Sequence, residues 1–333
     1  MNVFELTRAL VDIESITGNE AQMGKALHAH LSEMAQKFSG RVELLPVEPN
    51  RDNVYACWGE PIVTLSTHID TVPPYFPWRE DDLHIWGRGA CDTKGIIASM
   101  IFAARELLEA GHRNLALLFV VGEERNSAGA LAAAKTPRGS RFLINGEPTE
   151  NKLALGSKGA LRLELAAHGR MAHSAYPELG ESAIEKLLDV LEKIRRLPLP
   201  VDPILGASTL NIGTISGGRA PNVIPDHAQA ELFIRLVESG EATMAALKQA
   251  AHGNAEIREV LTIPAVLLGS LPGFETTVVS FTTDIPALGK GWGQPYLIGP
   301  GSIHVAHTSE ERIAKTQILE AVQIYKRMVQ QFL

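Results

Sequence analysis

The chain has 333 residues, of which 45% are hydrophobic and 21% charged, so it can bury a sizeable core and disorder is not expected. Its length predicts about two domains. A net charge of -7 with no basic cluster argues against nucleic-acid partners, and no run approaches the roughly 20 apolar residues that span a membrane. Two cysteines, Cys57 and Cys91, make no disulfide framework, which predicts a cytoplasmic protein.

The first part of the chain alternates predicted helices with short apolar strands. Residues 19–38 carry apolar side chains at helical spacing, and 94–110 form a second predicted helix that ends at Gly111. Short apolar runs bounded by glycine or proline predict four strands, at 61–67, 115–121, 141–145 and 295–298. This alternation predicts an α/β fold whose mostly parallel, twisted sheet is covered by helices on both faces.

The middle of the chain has a different pattern. Leu161, Leu163 and Leu165 alternate with polar or small residues, which is typical of a half-exposed antiparallel strand. The predicted order is strand, helix, two strands, helix, strand. We therefore expect a small α+β domain inserted at 158–262, while 1–157 and 263–333 form the first domain.

The C-terminal part predicts a long helix. Thr308 and Glu311 have the spacing of a capping box, which places the helix N-terminus directly after His307. The apolar stripe of this helix is Ile318, Val322, Tyr325, Val329 and Phe332.

Each of the four predicted strands is followed by histidine or carboxylate side chains. In open α/β sheets, sites form outside the carboxyl ends of such strands. A further carboxylate, Asp92, follows Gly89. The candidate metal ligands are therefore His68, Asp92, Glu124, Glu147 and His307. This set exceeds the three protein ligands of one catalytic zinc and fits two ions about 3.5–4 Å apart that share a carboxylate. Nitrogen and oxygen ligands suit zinc, with cobalt or manganese as substitutes.

Two further carboxylates have predicted catalytic roles. Asp70 lies two residues beyond His68, so both side chains share one face of the strand, and the carboxylate can accept the second ring N–H of His68. Glu123 and Glu124 are adjacent and point in different directions. One can therefore bind metal while the other takes a proton from water and returns it to a leaving amine.

Each of these patterns also has a plainer interpretation. A lone Glu-Glu pair is typical of a solvated loop, and a lone His-x-Asp of a hydrogen-bonded turn. The segment from Gly87 to Asp92 resembles a phosphate loop, yet it lacks the Gly-Lys-Ser/Thr ending and a third glycine, which argues against a nucleotide-binding protein. A non-catalytic protein on the same fold would be expected to have lost a ligand or the base, and here none is missing. The joint occurrence in this order favours a metal site.

The chain resembles the dinuclear zinc amidohydrolase and metallopeptidase family of acetylornithine deacetylase, succinyl-diaminopimelate desuccinylase and aminoacylase, which also includes carboxypeptidases and dipeptidases. The resemblance spans essentially the whole chain. It is carried by five ordered segments, His68-Ile-Asp-Thr-Val-Pro73, Gly87-Arg-Gly-Ala-Cys-Asp-Thr-Lys-Gly95, Gly122-Glu-Glu124, Gly146-Glu-Pro148 and Ala306-His307.

The resemblance implies how the metal ligands are divided. His68 and Glu147 would hold one zinc, Glu124 and His307 the other, and Asp92 would bridge the two.

The resemblance also assigns the remaining site positions. Glu123 would be the general base and acid, and the peptide bond after Asp92 would be cis. His304 competes with His307 as the last ligand. His307 is preferred because Ala306 to Glu311 has the family-like context.

The inserted domain resembles the family's lid and dimerisation domain, which implies a homodimer. His173 matches a histidine that reaches into the partner's active site and stabilises an oxyanion. Asn222 and Arg235 resemble positions that contact the α-carboxylate of the substrate, a task that suits the planar guanidinium group. A salt-bridged surface arginine is the alternative for Arg235.

The resemblance implies zinc-dependent hydrolysis of the amide bond of a small N-acyl amino acid, with N-acetylornithine-type deacetylation favoured. A dipeptidase or aminopeptidase is the alternative. Desuccinylase activity is less favoured, because Gly156-Ser-Lys158-Gly159 has one basic residue where that branch has Gly-Arg-Arg-Gly.

Overall fold

The computed structural model describes residues 1–333, which divide into two compact units. Unit 1 comprises 1–155, 268–277 and 283–333, and unit 2 comprises 156–267 and 278–282. The segment 278–282 was not anticipated in unit 2. It belongs there because the Lys158 N–H donates to Val279 O at 3.1 Å and Ser157 Oγ donates to Phe281 O at 2.6 Å.

Unit 1 contains a large sheet whose centre is parallel. All four predicted strands are confirmed and are parallel neighbours, in the spatial order Leu115–Val120, Val63–His68, Phe142–Asn145 and Gln294–Leu297. The flanking strands are antiparallel: Arg41–Glu48 and Arg51–Trp58 on one side, and Leu153–Ser157 on the other, where Thr276–Val279 also pairs. The predicted parallel sheet is therefore confirmed at its centre, with antiparallel edges.

Helices cover both faces of this sheet, as predicted. Alternate side chains of the strand Leu115–Val120 enter two separate cores, with Leu117 in the first and Leu118 in the second. The helix Gly95–Glu109 is almost wholly buried in the first core and packs against the C-terminal helix. The α-helices of unit 1 are Val3–Val11, Ala21–Phe38, Gly95–Glu109, Ala128–Ala134, Ile285–Leu288 and Lys315–Phe332.

The predicted start of the C-terminal helix is wrong. The helix begins at Lys315, and Arg312–Ala314 instead forms a strand with His84–Trp86, which also pairs with Arg79–Glu80. Glu311 does not cap a helix, because its buried carboxylate is bonded to Arg88 and to the main chain at Asp92. The predicted apolar stripe is buried from Ile318 to Val329.

Unit 2 has the predicted order of strand, helix, two strands, helix and strand. Its antiparallel sheet has the spatial order Thr209–Gly217, His227–Leu236, Gly159–His168 and Glu256–Ile263. The helices Ala183–Arg195 and Glu241–Ala251 pack on it through a separate apolar core. Short strand pairs are formed by Ala172–His173 with Val223–Ile224, by Val201–Asp202 with Gly206–Ala207, and by Val266–Leu267 with Gly156 and Ser157.

The structure also bears on the two cysteines and on the possibility of a membrane-spanning helix. Cys57 and Cys91 are buried free thiols. None of the helices combines the length and the apolar character needed to cross a bilayer.

Candidate metal centre

The candidate site of unit 1 lies beyond the carboxyl ends of the parallel strands. His68 is the last residue of its strand, Glu123 and Glu124 follow the strand that ends at Val120, and Glu147 follows the strand that ends at Asn145. Because parallel strands end at one edge of a sheet, these side chains converge from distant parts of the chain.

Asp92 lies between two histidines. Its Oδ1 is 2.9 Å from His68 Nε2, and its Oδ2 is 3.3 Å from His307 Nε2. The peptide bond between Asp92 and Thr93 is cis, as the resemblance implied. Each oxygen of one carboxylate thus faces a different imidazole, which is the arrangement expected of a bridging ligand.

Glu124 and Glu147 complete the cluster, each near a different histidine. Glu124 Oε1 is 3.0 Å from His307 Nε2, and Glu147 Oε2 is 4.0 Å from His68 Nε2. One ligand atom each of His68, Asp92 and Glu124 lies within 4.8 Å of the others. All five predicted ligands are therefore together. His304 is exposed and forms no hydrogen bond or ion pair with any of them.

The site contains more carboxylate than its two imidazoles can neutralise. Burial raises the pKa of Glu147 and that of Glu123 well above their usual ranges. Hydrogen bonds to Asp92 and Glu124 raise the pKa of His307 to about 10. The buried Oε1 of Glu147 has no hydrogen-bond partner. An orphaned carboxylate oxygen in a set of nitrogen and oxygen donors fits a site for divalent cations.

The Glu123 loop is held by Asp70. The carboxylate of Asp70 accepts three main-chain N–H groups, from Gly122 at 3.0 Å, Glu123 at 3.1 Å and Glu124 at 3.2 Å. Gly122 has a φ of +82°, a left-handed conformation that glycine adopts without strain. Asp70 thus determines the main-chain position of both glutamates.

His68 contacts the main chain of Asp70 more closely than the predicted carboxylate. His68 Nδ1 lies 2.9 Å from the main-chain oxygen of Asp70 and 3.5 Å from its Oδ1. The carboxylate is occupied by the loop N–H groups, so the main-chain oxygen is the closer partner of the ring. A main-chain acceptor also fixes the tautomer of a metal-binding imidazole.

Four side chains near the site were not among the predicted site residues: Asp284, Thr17, Arg88 and Glu311. Asp284 is 1% exposed, neither of its oxygens has a hydrogen-bond partner, and burial raises its pKa to about 7. Thr17 bonds to Asp70, and Arg88 bonds to Glu311. Arg88 and Asp284 lie beside motif or strand segments that could have drawn attention to them. Nothing in the local pattern marks Thr17 or the role of Glu311.

Unit 2 brings two of its three predicted site residues together. His173 is exposed, its Nδ1 accepts the Ala175 N–H at 3.1 Å, and the neighbouring Ser174 N–H donates to Asn222 O at 3.0 Å. Because Nδ1 is an acceptor, Nε2 carries the proton and is free to donate. Arg235 has no acidic partner and stacks over the Phe233 ring at 4.8 Å, while burial lowers its pKa. No acidic group of this chain therefore forms the salt bridge of the alternative interpretation.

A family model for peptidase family M20/M25/M40 matches residues 64–331. The chain belongs to this family. This M20 enzyme is 41% identical over 340 residues to a peptidase M20 domain-containing protein of Schizosaccharomyces pombe. The match covers 98% of this chain and 84% of the relative. It is 37% identical over 377 residues to a probable carboxypeptidase of Aspergillus fumigatus, with 97% and 85% covered.

Solved structures share the fold of this M20 enzyme. Aminopeptidase PepT of Bacillus cereus superposes with a TM-score of 0.82 at 19% identity, covering 99% of this chain and 98% of that one. The YXEP protein of Bacillus subtilis, described as a dinuclear metal binding peptidase from the M20 family, gives 0.71 at 16% identity, with 99% and 98% covered. The family resemblance and the mixed α/β fold are thereby confirmed. The S. pombe and A. fumigatus relatives are named as a peptidase and a probable carboxypeptidase, and neither is named a deacetylase.

Proposed function

We propose that this M20 enzyme is a metal-dependent hydrolase that cleaves the amide bond of an N-acyl amino acid with a free α-carboxylate. The observation that carries the proposal is Asp92, whose two oxygens face His68 and His307 separately while Glu123 stands beside the cluster as an additional carboxylate. A peptide cut at its C-terminal residue and an N-acetyl amino acid both present this bond.

The five clustered side chains would hold two divalent metal ions. His68 and Glu147 would bind one ion, Glu124 and His307 the other, and Asp92 both. Zinc suits these donors, with cobalt or manganese as substitutes. When bound, the ions polarise the scissile carbonyl and lower the pKa of water. The B. subtilis relative described as dinuclear supports a count of two.

Glu123 would act as the general base and acid. Its main-chain N–H is bonded to Asp70, and its neighbour Glu124 is bonded to His307, so Glu123 remains available for proton transfer. It would take a proton from the attacking water and deliver that proton to the departing amine nitrogen. Asp70 would be a positioning residue for this step.

Unit 2 would supply groups for the substrate. His173 has its Nε2–H free to donate to the oxyanion of the tetrahedral intermediate. Arg235, which has no acidic partner, suits the α-carboxylate, and Asn222 lies beside the His173 segment. We further propose that the enzyme is a homodimer in which His173 serves the site of the partner subunit.

Two observations narrow the choice of substrate within this class. The carboxypeptidase name of the Aspergillus relative favours a C-terminal amino acid as the leaving group. N-acetylornithine belongs to the same chemical class and remains our favoured deacetylation substrate. Succinyl substrates are disfavoured, because Lys158 Nζ already donates to Ala207 O at 2.6 Å.

Activity on a matched substrate panel tests the proposal. Metal-loaded enzyme would be offered N-acetylornithine, N-acetylcitrulline, succinyl-diaminopimelate, dipeptides, and the same acetyl amino acids with an α-carboxamide. We expect hydrolysis only with a free α-carboxylate, and loss of turnover in Glu123→Gln. Equal turnover of the carboxamide substrates would contradict carboxylate recognition, and hydrolysis that requires a free amino terminus would favour an aminopeptidase.

A further inference from the structure

Glu311 connects two segments that carry proposed metal ligands. It lies shortly after His307, is 1% exposed, and its Oε1 accepts the main-chain N–H groups of Asp92 at 3.2 Å and Cys91 at 3.3 Å. Its own main-chain oxygen accepts the Gly87 N–H at 3.1 Å. Both the side chain and the main chain of Glu311 therefore hold the segment that ends in Asp92.

Arg88 holds the carboxylate of Glu311 in place. Its Nη1 donates to Glu311 Oε2 at 2.6 Å, its Nε donates to Pro74 O at 3.1 Å, and its guanidinium group lies 5.0 Å from the centre of the Phe76 ring. Arg88 is itself 1% exposed. A buried charge with one acidic partner restricts that partner strongly, because separation would leave both groups unpaired.

The bonds of Glu311 leave the side chain of Asp92 free. They reach the Asp92 main chain, so the two carboxylate oxygens of Asp92 remain directed at His68 and His307. Immediately after Glu311, Arg312–Ala314 pairs with His84–Trp86, which extends the connection between the two segments.

We propose that Glu311, held by Arg88, is a positioning residue that sets the Asp92 carboxylate relative to the His307 imidazole before any ion binds. The inference rests on the proposed function, since it concerns the same ligands. Glu311 contacts neither substrate nor metal in this account. Partners outside the ligand set that orient ligands typically change metal affinity by about 10–100-fold when they are mutated.

Metal affinity and main-chain protection test the proposal directly. In Glu311→Gln, we expect Zn²⁺ affinity, measured by chelator competition, to fall about 10–100-fold. We expect kcat to fall with KM little changed, and the Cys91 and Asp92 amides to exchange hydrogen faster in metal-free protein. Glu310→Gln is the matched control, because Glu310 is an exposed neighbour whose side chain has no partner, and it should leave all three readouts unchanged.

A second variant guards against loss of folding through an unpaired Arg88. Arg88→Met with Glu311→Met removes both charges and keeps similar volume, a change that folded proteins often tolerate. It should fold and still show weakened Zn²⁺ binding. Wild-type Zn²⁺ affinity and amide protection in either folded variant would overturn the proposal. Failure of both variants to fold would also overturn it, because Arg88 and Glu311 would then serve stability alone. If the unmodified enzyme binds no metal, the proposed function itself fails.

Discussion

Thr17 Oγ1 donates a 2.7 Å hydrogen bond to Asp70 Oδ2, the oxygen that also accepts the main-chain N–H of Glu124. A threonine near the amino terminus is thus connected through one buried carboxylate to the loop that carries both active-site glutamates. The same carboxylate accepts the N–H groups of Gly122 and Glu123. Asp70 therefore acts on the loop as well as on His68.

The first prediction concerns Thr17. Thr17→Val removes the donor and should lower the free energy of unfolding by about 1.5–3 kcal/mol, the range for a hydrogen bond to a charged group. It should also reduce kcat about tenfold, because small displacements of a catalytic group are costly. Steady-state kinetics and urea unfolding measure both effects. Thr17→Ser keeps the hydroxyl and should restore both, and equal defects in the two variants would contradict this account.

The second prediction concerns Glu123. Glu123→Gln keeps the size of the side chain but cannot accept a proton, so kcat should fall by about 10²–10⁴-fold. The metal content, measured by elemental analysis, should stay at the wild-type value, because Glu124 is the proposed ligand. Near-normal turnover, or loss of metal, would show that the two adjacent glutamates have been assigned the wrong roles.

The third prediction is a pH dependence of metal binding. In metal-free protein the pKa of His307 is raised from 6.5 to about 10, so this imidazole is protonated at neutral pH. A metal ligand must be deprotonated, and each proton released makes affinity rise about tenfold per pH unit. Zn²⁺ affinity should therefore increase from pH 6 towards about pH 10.

The same pKa has a consequence for the metal-free fold. Protonated His307 stabilises the metal-free fold fully below pH 6.5, and this contribution is lost as the pH rises through about 10.

Calorimetric titration of the metal-free protein with Zn²⁺, in two buffers of different ionisation enthalpy, measures the protons released when the metal binds. His304→Gln, at the exposed neighbouring histidine, should leave it unchanged, and binding without proton release would contradict the assignment of His307.

The fourth prediction tests whether the site is shared between subunits. Glu123→Gln and His173→Ala should each be inactive as homodimers. When they are mixed, some hybrid dimers regain one complete site if His173 acts on the partner's substrate. Activity should therefore recover partly. No recovery, with subunit exchange demonstrated by differently tagged chains, would place His173 on the site of its own subunit or outside catalysis.

Local patterns predicted the main elements of both units. The central strands are predictable because each apolar run is bounded by glycine or proline, and Val63–His68 and Leu115–Val120 are buried throughout. Their order along the chain placed His68, Glu124 and Glu147 at one edge. The same reasoning predicted the strand and helix order of unit 2.

Long-range bonds explain what the sequence could not predict. Thr308 and Glu311 have the spacing of a capping box, but the carboxylate of Glu311 is bonded to Arg88, more than two hundred positions earlier in the chain. Likewise, the oxygens of Asp70 are taken by loop N–H groups that lie some fifty residues away. Spacing reports on neighbours along the chain, so competition from distant partners becomes visible only in the structure.

Metal stoichiometry with site location tests the central claim most directly. Enzyme loaded with Zn²⁺ would be crystallised and analysed by anomalous diffraction at the zinc edge. We expect two zinc peaks, one between His68 and Glu147 and one between Glu124 and His307, with Asp92 bound to both. A single peak, or two peaks away from these side chains, would contradict it.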